Sequence, residues 1–233
     1  MIAFIQRSRY PFWVSFGISL ISVLILPASA RGELIASDSN AMPGWHSTLQ
    51  TSGSTQVSPY KYLYVDIDYA VYDKGQFNLS FPGKDPSGGT QYVYAYQLFN
   101  KPNPPSTDLG INIFTVGLDG NESPANIMEI DNPNPPTGKT SSPAFVGTPP
   151  TSAKWSYSPA NKVSPSARSK ILLFTSKFGP EWDFANLTGW SGSTTPLNTY
   201  YLPSPVPEPG TLLGLTIAGL FFFVRMLRGI VFK

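Results

Sequence analysis

Between residues 61 and 71 the chain alternates strictly. Leu63, Val65, Ile67, Tyr69 and Val71 hold odd positions, while Tyr64, Asp66, Asp68 and Ala70 hold even ones. This is the period of a half-buried strand, with Leu63, Val65, Ile67 and Val71 expected to face a core and Asp66 and Asp68 to sit on a solvated face. Asp73, Lys74, Gly75 and Gln76 form a turn signal, and residues 77–81 are expected to return as a second strand of a hairpin. After another turn at residues 86–89, residues 91–99 set Tyr92, Tyr94, Tyr96 and Leu98 on one face.

A proline-rich loop at residues 102–106 precedes a strand over residues 111–118, rich in β-branched and aromatic side chains and closed by Asp119 and Gly120. Residues 121–150 are dominated by Pro, Asn, Gly, Ser and Thr and read as long surface loops, with short strand or turn material at 127–130 and 144–146. Trp155 and Tyr157 stand at strand spacing, residues 171–176 form an apolar strand, and the two segments are expected to meet in the core. No long helical period occurs between residues 31 and 205. Short strands at about ten-residue spacing, separated by Gly, Pro and Asn clusters, predict an all-β fold, an antiparallel β-sandwich.

Both ends depart from this pattern. Arg7 and Arg9 precede an apolar run over residues 12–26 and the small-residue pattern Ala28, Ser29, Ala30, so residues 1–30 read as a signal peptide cleaved after Ala30. At the other end Val206, Pro207, Glu208 and Pro209 precede an apolar stretch over residues 211–224, followed by Arg225, Arg228 and Lys233. The prolines fix φ on either side of Glu208, presenting it as a stiff, extended peptide. As a helix, fourteen residues reach roughly 21 Å, short of a ~30 Å hydrocarbon core. Spanning therefore recruits Met226, Leu227 and residues 230–232, with Arg225 and Arg228 snorkelling to the headgroups and the cationic flank kept on the cytoplasmic side.

Pro207-Glu208-Pro209, a short hydrophobic helix and a basic end resemble the PEP-CTERM sorting domain of exported proteins in Gram-negative bacteria that make extracellular polysaccharide. The resemblance covers residues 206–233. It implies recognition by an exosortase, a membrane-embedded transpeptidase-like enzyme, with processing near the motif and a transient anchor in the inner membrane. The basic residues are spread out rather than clustered as in that family. The expected organisation is a signal peptide at 1–30, an exported β-domain at 31–205 and a sorting tail at 206–233, bound for the outer surface or extracellular matrix. A permanently anchored single-span protein is the alternative reading of the same tail.

Within residues 31–205 the order of elements also looks like exported domains found ahead of such tails: an aromatic strand ending in Asn100, Phe114 and Val116 on another, a strand carrying Trp155, and an apolar strand ending in Ser176. This likeness supports the sandwich and assigns no chemistry.

Composition narrows the function further. Thirteen of the fourteen acidic residues fall in residues 31–205 against eleven Lys and Arg, a balance near minus two that lacks the cationic footprint of a nucleic-acid binder. The chain has no cysteine, which excludes disulfides, thiol catalysis and cysteine-bound metals. The Asn-X-Ser/Thr triplets at Asn78, Asn121 and Asn186 read as chance matches in a bacterial exported chain.

The search for chemistry yields no catalytic constellation, and a non-enzymatic protein without cofactor is expected. His46 is the single histidine and lies in a loop-like stretch, and no nucleophile elbow, phosphate loop, dinucleotide fingerprint or histidine pair is present. Asp66 with Asp68, and Glu181 with Asp183, are carboxylate pairs, but a hydrolase needs such groups opposed across a cleft. Asp66, Asp68 and Asp73 are candidate Ca²⁺ ligands without a glycine-containing ligand loop, and no metal site is assigned. Tyr60, Tyr62, Tyr64, Trp155, Trp182 and Trp190 are candidates for a sugar-stacking platform, which would make extracellular polysaccharide a partner; aromatics at this spacing more commonly build cores.

Overall fold

The computed structural model describes residues 35–51, 63–102, 110–118, 124–133, 137–189 and 198–205. The signal segment and the tail lie outside them.

The described chain is all-β apart from one helical turn. In order, the elements are β1 (His46–Gln50), β2 (Val65–Tyr72), α1 (Phe77–Ser80), β3 (Tyr92–Asn100), β4 (Ile111–Gly117), β5 (Ala125–Ile130), β6 (Ser142–Val146), β7 (Ser152–Ser156), β8 (Ile171–Ser176), β9 (Pro180–Gly189) and β10 (Asn198–Pro205). They build two five-stranded sheets, ordered β1-β2-β3-β8-β5 and β10-β9-β4-β7-β6. Every strand pairing within them is antiparallel.

The alternation of β2 sets its inner face as expected. Leu63, Val65, Ile67, Tyr69 and Val71 enter one core with Tyr94, Tyr96 and Leu98 of β3, Phe174 of β8, Phe114 and Val116 of β4, Trp155 of β7 and Leu187 of β9. Both sheets contribute, so this core lies between them. Its centre is aromatic. Tyr94 and Phe174 are register partners whose rings stack 4.9 Å apart at 4°, and Phe114 and Trp155 are register partners at 5.7 Å. Tyr96 meets Phe114 across the sheets at 5.6 Å, and Trp155 meets Phe174 at 6.3 Å. Such pairs add to simple area burial because ring edges and faces carry opposite partial charge.

The outer face of β2 is buried too, against expectation. Ala70 and Tyr72 join Val93, Ala95, Ile171, Leu173, Ile35, Phe77 and Phe81 in a second core, covered by the segment that begins at Ile35 and by α1. Asp66 and Asp68 are buried, only 5% and 7% exposed, rather than solvated. A strand covered on both sides cannot be told from a half-buried one by its inner residues alone.

The expected strand at residues 77–81 is also corrected. Phe77–Ser80 is a helical turn, and β2 pairs directly with β3. Phe77 and Phe81 stack at 4.7 Å and pack on Tyr72, while Leu79 between them is 63% exposed. Spacings of two and of four are both satisfied by Phe77, Leu79 and Phe81, and burial of the i, i+4 pair decides for the helix. Gly75, at φ +79°, makes the tight turn between β2 and α1.

Residues 121–150, expected as loops with short strand material, contribute β5 and β6, which form one edge of each sheet. Trp155 and β8 do meet in the core. Three further strands, β1, β9 and β10, lie where the alternation argument assigned none.

Candidate functional site

None of the residues expected to carry sorting is among the described ones. The cleavage residues Ala28 and Ala30, the motif Val206, Pro207, Glu208 and Pro209, and the flank Arg225, Arg228 and Lys233 all fall outside. Among the described residues no helix is long and apolar enough to cross a membrane.

The last strand among the described residues runs up to the residue before that motif. β10 pairs with β9 from Asn198 through Pro205, and it is an edge strand of its sheet. Pro203 and Pro205 have no N–H to offer, which an edge strand tolerates and a central one does not. Three contacts pin this strand to the core. Leu202 is fully buried, the Tyr96 hydroxyl donates to the Pro203 carbonyl, and Ser204 Oγ donates to the Gly117 carbonyl at 2.6 Å.

The sequence candidates for chemistry are scattered and already engaged. His46 is in β1, not a loop, and its Nδ1 donates to the Ala36 carbonyl at 2.8 Å. Asp66 is held by the Lys101 ammonium, 2.6 Å from Oδ1, in an ion pair rather than an aligned hydrogen bond. Asp68 accepts from Thr48 Oγ1 at 2.5 Å. Asp73 Oδ1 caps its own turn by accepting the Lys74 N–H at 2.7 Å. No group of three or more His, Asp or Glu with the arrangement of a metal site occurs among the described residues.

One surface depression of about 370 Å³ is lined by Ser37, Asp38, Ser39, Asn40, Ser80 and Phe81. Its carboxylate is occupied on both oxygens. Asp38 Oδ1 accepts the Asn40 N–H and Oδ2 accepts the Tyr72 hydroxyl, each at 2.9 Å. Burial, then the Asp38 charge and this hydrogen bond, push the Tyr72 phenol far above its ordinary range, so it remains a neutral donor. The arrangement braces the segment that covers the second core and provides no activated nucleophile.

Of the six aromatic candidates, Tyr60, Tyr62 and Trp190 lie outside the described residues. Trp155 is fully buried, its Nε1 donating to the Met128 carbonyl at 3.3 Å, so it is a core residue and not part of a platform. Tyr64 is half-buried. Of the three described candidates Trp182 alone is a large exposed ring, and two further exposed rings, Phe184 and Tyr201, were not among the candidates. Trp182, Phe184 and Tyr201 are 50%, 49% and 59% exposed. Phe184 and Tyr201 are register partners with rings 4.8 Å apart, and Trp182 rests on Trp45 at 5.3 Å and edge-on against Tyr69 at 5.8 Å. The available signal was the alternation of Glu181, Trp182, Asp183 and Phe184.

Compared with known proteins, the chain matches no family model, no curated protein and no solved structure.

Proposed function

We propose that this protein is an exported, non-enzymatic component of the envelope or extracellular matrix, sorted by its tail through an exosortase. The carrying observation is the order of features in residues 206–233: a proline-flanked glutamate, an apolar segment that reaches across a membrane by recruiting the apolar residues of its flank, and the cationic residues of that flank. Residues 1–30 supply entry to the secretory route. The body's last described strand is paired through Pro205, the residue that precedes the motif in sequence. In this account the tail halts the chain in the inner membrane, the enzyme acts near Glu208, and the β-domain is released or attached outside.

The test replaces Glu208 alone. Glu208→Ala leaves the apolar segment and its cations untouched, so insertion and orientation are expected to survive while processing is impaired. The variant is expected to accumulate in the inner-membrane fraction of the native host at a higher mass than wild type. Equal mass and equal distribution of the two chains would leave a permanent single-span anchor instead.

A further inference from the structure

We infer that the corner of the β-domain at which β10 ends is a membrane-seating surface, with Trp182 in the lipid headgroup layer; the inference rests on the reading of residues 211–224 as a membrane segment. Strand register gathers this corner. β10 ends at Pro205 opposite Pro180, the first residue of β9, and residues 177–179 join that point to the end of β8 at Ser176. Ser176 pairs with Tyr92, next to the partner of Tyr72 at the end of β2. Trp182 lies two residues into β9, 5.3 Å from Trp45 and 5.8 Å from Tyr69, and is 50% exposed.

The length of chain beyond this corner chooses the occupant. Ser204 is tied to the Gly117 carbonyl and Pro205 is still paired, so the fold gives no slack before residue 206. Five residues, 206–210, separate Pro205 from Thr211, where the apolar segment begins. Fully extended, that distance is at most about 20 Å. The opposite end of the sandwich lies a strand's length, roughly 30 Å, farther off. A tail in the bilayer therefore holds this corner, and not the other end, within reach of the headgroups. Tethering also turns a weak contact into an occupied one, because the linker sets the local concentration of lipid surface.

The chemistry of the corner suits that layer. Indole rings concentrate at the membrane–water interface, where an apolar body and a polar N–H are both accommodated. Trp182 is already braced by Trp45 and Tyr69, so ordering it on contact costs little. Two exposed lysines flank it: Lys74 stands over the Tyr92 ring at 5.3 Å and Lys177 over the Phe178 ring at 5.2 Å. The Tyr94 hydroxyl fixes the connector by donating to the Phe178 carbonyl at 2.9 Å. Lysines so placed lay their stems on apolar surface and reach lipid phosphates with the ammonium. Exposed Asp73 and Glu181 balance the two lysines, so the ring and not net charge makes the contact, and a zwitterionic lipid suffices. Glu208, three residues past Pro205, is then at most about 10 Å from the seated corner, at the level where a membrane-embedded enzyme meets it.

The experiment uses the full-length chain, expressed in a bacterial host without an exosortase and reconstituted in phosphatidylcholine nanodiscs that carry headgroup spin-labelled lipid. The chain has no cysteine, so a fluorophore on Gly179→Cys reports on this corner and one on Ala160→Cys on the opposite end. A Cβ at position 179 meets nothing closer than the Tyr92 ring at 4.0 Å, and Ala160 is exposed. Quenching is expected to be at least about threefold stronger at 179 than at 160, and to fall at least about twofold in Trp182→Ser while Trp182→Tyr, which keeps an interfacial ring, retains it. Equal quenching at the two sites overturns the inference. So does quenching at 179 that Trp182→Ser leaves unchanged, which is what a bare tether gives. Urea unfolding checks the fold of that variant, and the two-site comparison needs no substitution at Trp182. No quenching at 179 in pure lipid would leave the surface to a protein partner and overturn the inference too. Failure of the chain to co-elute with the discs would instead sink the membrane segment itself, and the seating with it.

Discussion

The hydroxyl of Tyr96, on the central strand of one sheet, donates to the carbonyl of Pro203, on an edge strand of the other. Tyr96 is buried among Phe114, Trp155 and Phe174, so the hydrogen bond is shielded from water. It ties the last described strand to the middle of the fold. Tyr96→Phe removes the donor, keeps the ring, and leaves a buried carbonyl unpaired. A loss of about 1–3 kcal/mol is expected. Urea unfolding should show a lower midpoint at unchanged slope; an unchanged midpoint would contradict this role.

Ile67 tests the register of β2. It is fully buried between the sheets, and Ile67→Ala is expected to cost about 2–4 kcal/mol by lost burial and a residual cavity. A change below about 0.5 kcal/mol would mean that the opposite face of β2 points inward.

The inner face of β2 was legible because Leu63, Val65, Ile67 and Val71 repeat with the pleat, and the same reasoning located β3, β4, β7 and β8. Its outer face was not, because Asp66 and Asp68 look solvated in sequence and are buried through pairing with Lys101 and Thr48. Pairing partners distant in sequence leave no local trace. The turn at Phe77 failed because its aromatic spacing fits two periods. β10 was missed because Pro203 and Pro205 argue against a strand, a rule that relaxes only where the strand proves to be an edge. Phe184 and Tyr201 escaped notice for the same reason: their pairing exists only once β9 and β10 are aligned.

The Asp66–Lys101 pair yields a third prediction. Asp66 is buried while Lys101 is partly open to solvent, so removing the lysine strands the carboxylate. Lys101→Met is expected to cost about 1–3 kcal/mol, and Asp66→Asn with Lys101→Met less than the two single changes added together. Chemical denaturation of the four proteins completes the cycle. Strict additivity would show that the two side chains do not interact.

Alkaline pH provides a fourth. Burial raises the phenol of Tyr72 above that of an unfolded tyrosine, with Asp38 adding to the effect, and burial raises Tyr157 likewise. Above the unfolded value of about 10 the unfolded chain loses these protons while the folded chain keeps them. Stability is then fully present below about pH 10 and falls as pH rises beyond it. Tyr72→Phe should flatten that decline in denaturation curves taken from pH 9 to 11.5. A slope identical to wild type would remove Tyr72 from the account.

The central claim is that the tail is a sorting signal and not a lasting anchor. Intact-mass measurement of the protein purified from its native host addresses it directly. The account predicts a mature product lacking residues 1–30 and the apolar C-terminal segment, its new terminus near Glu208. A product that still ends at Lys233 would contradict it.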